Sequence, residues 1–209
     1  WMPDGQSLLY RYRAQLLLRG ANGGTPRVLQ PVAGYPDSVT ADGRYAIYGA
    51  QNRGFYDMFA LDIVTPGAKP IPLVTGLTLV DEGKFSPNGK WIAYHSNGNG
   101  VQVSVMPFPP TGEKWQISET GGVQPRWSKD GQELFYLDLQ GRVTRVRVPD
   151  SDPRGASRGE VLFDTGLSPS SSLDQYEPVG DRFLLRVPNV SSAVASPIGV
   201  IVNWTKIAK

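Results

Sequence analysis

A short turn motif recurs five times along the chain, each time between two apolar segments. The copies centre on Asp4-Gly5, Asp42-Gly43, Asn88-Gly89, Asp130-Gly131 and a degraded Gly180-Asp181. Successive Asp or Asn positions lie 38, 46 and 42 residues apart in the first four copies, with about 50 residues to the fifth. Asp-Gly and Asn-Gly readily adopt the positive φ that a tight turn between antiparallel strands requires. Each copy therefore predicts a hairpin, and the chain is an array of similar units.

The sequence between successive turns has room for four strands. In the third unit these are expected at Glu82–Ser86, Lys90–His95, Val101–Pro107 and Lys114–Ser118. Repeats of about 40 to 50 residues with four strands each are typical of β-propeller blades. We therefore predict an all-β propeller of four-stranded antiparallel blades, with about five blades present, the last one incomplete, and almost no α-helix.

We expect residues 1–209 to form one propeller segment, with blades near 1–34, 35–76, 77–122, 123–172 and 173–209. The fifth blade has strands predicted at 175–178, 182–187 and 198–204 and lacks a fourth, while the first motif copy already starts at Trp1. Three arrangements are open: part of a larger propeller, a five-bladed ring with a gap, or an open arc. We favour the larger propeller. Open blade edges would favour self-association.

An aromatic residue precedes the turn in three of the copies. Trp1, Phe85 and Trp127 occupy equivalent places. Large rings at a fixed place in each repeat fill the space between neighbouring sheets, so we expect all three to pack between blades.

Composition narrows the possible partners and chemistries. With 24 glycines and 18 prolines among 209 residues, mostly between strand candidates, the chain is a turn-dense all-β domain rather than a disordered one. A net charge of +2 without a Lys/Arg cluster argues against nucleic acid as a partner. The absence of cysteine excludes disulfides, thiol catalysis and thiolate metal sites. No run of about 18 apolar residues predicts direct membrane insertion.

Several segments resemble a known repeat family. FSPNGKWIAYHSNGNG, GGVQPRWSKDGQELFYLDLQGRVTRVRV and the ending SPIGVIVNWTKIAK look like TolB-type, WD-repeat-like propeller repeats. More narrowly, they resemble the C-terminal extracytoplasmic propeller of bacterial transmembrane serine/threonine kinases. The resemblance covers nearly the whole chain and is strongest over Lys84–Val148 and Arg182–Trp204. It implies a sensor or recognition module, attached to a kinase, on the periplasmic or extracellular side of a bacterial membrane.

The search for catalytic motifs is negative. The chain has no kinase Gly-rich loop, His-Arg-Asp or Asp-Phe-Gly motif, and no Gly-X-Ser-X-Gly elbow. His95 is the only histidine; a structural role, donating to a turn carbonyl, is favoured over a Ser-His-Asp triad. The recurring turn aspartates are expected to bond their own backbone rather than to bind cations as a ring. We predict no catalytic, cofactor or metal site.

Recognition in a propeller usually falls on the channel rim, because the first strand of each blade lines the centre. The rim candidates by that geometry are Asp37, Glu82, Lys84, Gln124, Arg126 and Tyr176. Each of them could instead be a polar residue that faces water in a wide channel. The leading hypothesis is a non-enzymatic module that binds a protein, peptide or small-molecule ligand. The alternatives are a periplasmic TolB-like interaction module of an envelope complex and a propeller that carries or gates a hydrolase or lyase site.

Overall fold

A computed structural model describes residues 1–31, 34–52, 55–76, 79–98, 100–171, 173–187 and 199–201. Its only helical element in these ranges is a 3-10 turn at Pro153–Gly155. The strands are, in chain order, β1 Ser7–Tyr12, β2 Gln15–Gly20, β3 Gly23–Gln30, β4 Pro36–Val39, β5 Tyr45–Asn52, β6 Phe55–Asp62, β7 Ile71–Val74, β8 Val80–Phe85, β9 Trp91–Ser96, β10 Gln102–Pro107, β11 Trp115–Gln116, β12 Val123–Trp127, β13 Glu133–Leu137, β14 Arg142–Arg147, β15 Glu160–Asp164, β16 Tyr176–Val179, β17 Arg182–Leu185 and β18 Gly199–Ile201.

The strands form five antiparallel sheets in strict chain order. Sheets 2, 3 and 4 are the four-stranded meanders β4–β7, β8–β11 and β12–β15, whereas sheets 1 and 5 are the three-stranded meanders β1–β3 and β16–β18. The prediction of four-stranded antiparallel propeller blades is confirmed. Residues 198 and 202–204 of the strand predicted at 198–204 lie outside the described part of the chain.

The repeated turn has the same hydrogen bonds in four copies. In the first four units the Asp or Asn side chain accepts from the backbone N–H two residues later, at 2.8 to 3.1 Å. In units two to four, the Thr or Ser two residues before also donates its hydroxyl to that side chain. The prediction that these residues shape turns is confirmed there. In the fifth unit Asp181 contacts Arg182 instead, because the turn is shorter.

Apolar side chains fill the space between successive sheets. Four buried clusters each join two neighbouring sheets, centred on Tyr48, Ile92, Val105 and Phe135. Phe85 and Trp127 take part as predicted, Phe85 in the cluster between sheets 2 and 3 and Trp127 against the one between sheets 3 and 4. Stacking of this kind makes stability a sum of contacts between neighbours.

The prediction for Trp1 is wrong, since its side chain is 73% exposed. Phe85 and Trp127 pack against the sheet that precedes their own, and the described residues hold no sheet before sheet 1 for Trp1 to contact. Trp1 also belongs to no strand: the backbone of Met2, the next residue, bonds only within the turn, to Ser7 and Gly5.

The innermost strands of sheets 2, 3 and 4 each carry a β-bulge. The register shifts by one residue between Pro36 and Ser38, between Asp81 and Lys84, and between Val123 and Arg126. Glu82 and Gln124, inside two of these bulges, have φ of 55° and 58°. Non-glycine residues adopt this conformation only where the surrounding structure enforces it, often at functional sites. The bulges turn both side chains toward the neighbouring inner strands.

Candidate functional site at the inner strands

The first strands of sheets 2 to 5 each have one residue at an equivalent register position. Ser38, Lys84, Arg126 and Glu177 lie opposite the third residue of the next strand, at Ile47, Ala93, Phe135 and Leu184 respectively. The Ser38 hydroxyl accepts from the Phe85 N–H at 2.9 Å, and the Lys84 ammonium donates to the Asp37 carbonyl at 3.0 Å. The first strands of sheets 2 and 3 are thus joined through these two positions.

Arg126 ties three carboxylates from two other sheets together. Its guanidinium donates to Glu82 at 2.7 Å, to Glu177 at 3.0 Å and to Asp174. Arg126 and Glu82 are buried, while the side chains of Asp174 and Glu177 are 77% and 59% exposed. We call these four residues the Arg126 clamp. Its buried half joins sheets 4 and 3, and its exposed half joins sheet 4 to the start of sheet 5.

Beside the clamp, two glutamines hold the loop that leads into β16. The Gln124 amide donates to the Ser170 carbonyl at 2.7 Å and to the Gln175 side-chain oxygen at 2.8 Å. Its own oxygen accepts from the Gln175 N–H at 2.8 Å. Because Gln124 is fully buried, every one of these bonds is shielded from water. The Gln124 and Gln175 pair fixes where Asp174 and Glu177 stand.

Tyr176 is buried beneath the site. Its hydroxyl donates to the Gln124 carbonyl at 2.9 Å, and its ring lies 5.8 Å from the Arg126 guanidinium carbon. Burial raises the pKa of Tyr176 well above its ordinary value. The phenol therefore stays neutral and orients the Arg126 clamp through packing.

Three carboxyl groups of this region, those of Glu82, Asp37 and Asp81, have raised pKa values. Burial raises the pKa of Glu82 to about 7, although Arg126 and Lys84 oppose the shift. Burial likewise raises the pKa of Asp37 to about 8, and that of Asp81 above its usual range. Arg126 stays charged: burial favours its neutral form, but the neighbouring Glu82 carboxylate outweighs that and raises its pKa.

His95 packs behind the site as a neutral side chain. Its Nδ1 accepts from the Gln124 N–H at 3.5 Å, and it also bonds the Ser171 backbone. Burial, with the charges of Arg126 and Lys84, lowers the pKa of His95 to about 4. These bonds go to backbone atoms, which is the structural role favoured from the sequence. Among the described residues no group of three or more His, Asp or Glu side chains could hold a metal ion.

All six predicted rim residues lie in or beside this region. Glu82 and Arg126 belong to the Arg126 clamp, while Gln124 and Tyr176 support it. Asp37 and Lys84 lie one sheet away, in the contact between sheets 2 and 3. The prediction did not include Asp174, Gln175 and Glu177, which complete the site on the sheet 5 side.

One of the missed residues, Glu177, has a signal in the sequence. The turn of the fifth unit is shorter: Trp127 pairs with Leu134, whereas the equivalent pair in sheet 5, Pro178 with Phe183, is two residues closer in sequence. Counting back from the second strand therefore gives the wrong position in the fifth unit. Counting four residues back from the turn Asp or Asn gives the equivalent position in units two to five, and from Asp181 it gives Glu177.

Comparisons with known proteins agree on the fold. No protein-family model and no curated protein sequence matches the chain. Among solved structures, a protein assigned as TolB from Agrobacterium tumefaciens matches with a TM-score of 0.60 and 20% identity, covering 78% of this chain and 62% of its own. TolB from Acinetobacter baumannii matches at 0.61 and 20%, covering 88% and 49%, and a chain of a nidogen–laminin complex at 0.60 and 12%, covering 82% and 63%.

These likenesses show a TolB-like β-propeller fold. The chain spans only about half to two thirds of the length of each of these structures. No helix among the described residues is long and apolar enough to cross a membrane.

Proposed function

We propose that the chain is a non-enzymatic recognition module, and that it binds a protein or peptide partner at the exposed side of the Arg126 clamp. The observation that supports this most directly is the convergence of charged side chains from sheets 3, 4 and 5 on one place, where two carboxylates stay open to solvent. Two strained backbone positions, Glu82 and Gln124, support the same place.

Recognition fits this geometry better than catalysis. His95 bonds backbone atoms, its pKa is low, and burial keeps it from a substrate. A hydrolase needs a base hydrogen-bonded to a nucleophile, with a third group that orients the base. The arrangement around His95 instead fixes the bulge of β12. The hydrolase or lyase alternative therefore has no observation in its favour.

We propose an extracytoplasmic location and attachment to a serine/threonine kinase as the finer form of this function. The sequence resemblance of the repeats supports both. The fold likeness to TolB structures supports equally a periplasmic interaction module of an envelope complex. Sequencing the gene upstream of Trp1 distinguishes them: a kinase core with one membrane span supports the first, and a signal peptide followed by further blades supports the second.

The recognition surface is tested by charge reversal at the two open carboxylates. The double variant Asp174→Lys and Glu177→Lys changes the rim, and the control Glu113→Lys and Glu160→Lys makes the same change near the outer strands β11 and β15. Immobilised chain is used to capture proteins from a bacterial envelope extract. A partner retained by wild type and control but lost by the rim variant supports the proposal. A partner that binds the rim variant as well as wild type contradicts it.

A further inference from the structure

We propose that the Arg126 clamp is a proton-responsive joint: proton uptake by Glu82 near neutral pH removes the charge attraction between Glu82 and Arg126 and leaves the guanidinium held mainly by Asp174 and Glu177 at sheet 5. This inference concerns the protein alone and does not depend on the proposed ligand. It starts from the unequal burial of the three carboxylates that share one cation.

Glu82 is the partner on which burial acts most strongly. Its side chain is 9% exposed, against 59% for Glu177 and 77% for Asp174. Water solvates the two exposed carboxylates, whereas Glu82 depends on its neighbours for stabilisation of its charge. When a set of coupled carboxyl groups takes up a proton, the group that water solvates least is favoured to receive it.

Glu82 belongs to a cluster in which carboxyl groups outnumber cations. Besides Glu82 itself, the cluster contains four carboxyl groups and two cations. The carboxyl groups are Asp37 on β4, Asp81 on β8, Asp174 just before β16 and Glu177 on β16, and the cations are Lys84 on β8 and Arg126 on β12. The neutral side chains of His95 on β9 and Tyr176 on β16 lie behind them. Such an excess of negative charge favours proton binding.

The predicted titration agrees with this geometry. Burial, opposed by Arg126 and Lys84, raises the pKa of Glu82 to about 7, and Asp174 raises it further. Burial likewise raises the pKa of Asp37, to about 8. The nearest neutral base, His95, has its pKa lowered to about 4 and keeps one charge state over this pH range.

Protonation changes what the joint connects. A neutral Glu82 still hydrogen-bonds Arg126 but no longer attracts its charge. The ion pairs of the Arg126 guanidinium are then those with Asp174 and Glu177. The link between sheets 3 and 4 weakens at this point while the link between sheets 4 and 5 persists.

Carboxyl NMR on the wild-type chain tests this without any variant. We expect the side-chain carboxyl carbon of Glu82 to titrate with a midpoint near 7, and the Arg126 Nε signal to shift with the same midpoint. A Glu82 midpoint below about 5.5 would overturn the proposal. So would an Arg126 signal that stays constant while Glu82 titrates.

The variant Glu82→Gln and its matched control Glu160→Gln test the joint independently. Glu160 pairs with Arg145 on the surface at 2.7 Å, so the control removes one carboxylate from an ion pair without touching the clamp. We expect Glu82→Gln to abolish the pH-dependent shift of the Arg126 signal near 7 and Glu160→Gln to leave it unchanged. An Arg126 shift that persists in Glu82→Gln assigns the titration to another group and contradicts the proposal.

Discussion

Gly83 lies where the bulge of β8 presses on sheet 2, and it lets Glu82 and Lys84 reach the site. A Cβ added at Gly83 would stand 2.5 Å from the Met58 sulfur and 2.8 Å from an Ile47 methyl group. Both distances are far inside van der Waals contact, and Ile47 and Met58 are almost completely buried. Gly83→Ala therefore forces either the β8 backbone or two core side chains to move.

Two opposing effects determine how Gly83→Ala changes the free energy of unfolding. Overpacking a buried contact destabilises by about 1–3 kcal/mol. Replacing glycine by alanine also reduces the entropy of the unfolded chain, which stabilises by about 0.4–1 kcal/mol where the backbone permits it. Gly83 has no positive φ, so the second effect is present and the net loss should be about 1–2 kcal/mol.

Gly20→Ala is the control for the entropy effect alone. Gly20 also lies in a strand without a positive φ, and the nearest atom to its added Cβ is the Gly23 carbonyl oxygen at 3.5 Å, an ordinary contact. Urea unfolding followed by tryptophan fluorescence measures both variants. Their stabilities should differ by about 2 kcal/mol. Equal midpoints for Gly83→Ala and Gly20→Ala would show that β8 does not need the close approach to sheet 2.

Further predictions concern the site itself. Arg126→Met leaves Glu82 buried without its cation and should lower the free energy of unfolding by about 3–5 kcal/mol. The loss should be smaller when Glu82 is already replaced by Gln, and equal losses with and without Glu82→Gln would contradict the pairing. Gln124→Leu removes the bonds of the Gln124 side chain to the Ser170 carbonyl and to the Gln175 N–H just before β16, and should lower the free energy of unfolding by about 2–4 kcal/mol, measured by urea unfolding. Raised folded pKa values of Asp37 and Glu82 mean that the folded state binds more protons, so their contribution to stability falls as pH rises from about 4 to about 8. The lowered pKa of His95 has the opposite effect, because its contribution to stability is lost as pH falls from about 6.5 to about 4. Measuring the free energy of unfolding above pH 6.5 therefore reports the contribution of Asp37 and Glu82 without that of His95.

Much of the fold follows from local signals in the sequence. Each Asp-Gly or Asn-Gly turn needs only its own side chain and backbone to form, which the bonds of Asp42, Asn88 and Asp130 show. Antiparallel meanders then follow, because short connections join neighbouring strands. Trp1 shows where this reasoning ends. The repeat predicts what a position packs against only if the neighbouring sheet is present.

The bulges could not be predicted in the same way. An extra residue in one strand leaves no mark in the apolar pattern, and neither Glu82 nor Gln124 is a residue type that favours positive φ. In the bulges of β8 and β12 a backbone N–H bonds a side-chain acceptor in place of a strand partner. The Glu82 N–H bonds Asp81, and the Gln124 N–H bonds His95. These partners become apparent only once the strands are placed.

The scaffold and the chemistry of the site follow different rules. Ser38, Lys84, Arg126 and Glu177 hold one equivalent position in four sheets, yet they supply a hydroxyl, two cations and a carboxylate. A purely structural position in a repeat would favour one residue type, because each sheet presents the same environment to it. Here the environment is the same and the charge differs from sheet to sheet. The difference has a structural consequence in the described residues, since Arg126 and Glu177 bind each other across adjacent sheets. The repeat therefore determines where the site lies, and the departures from the repeat determine what it can bind.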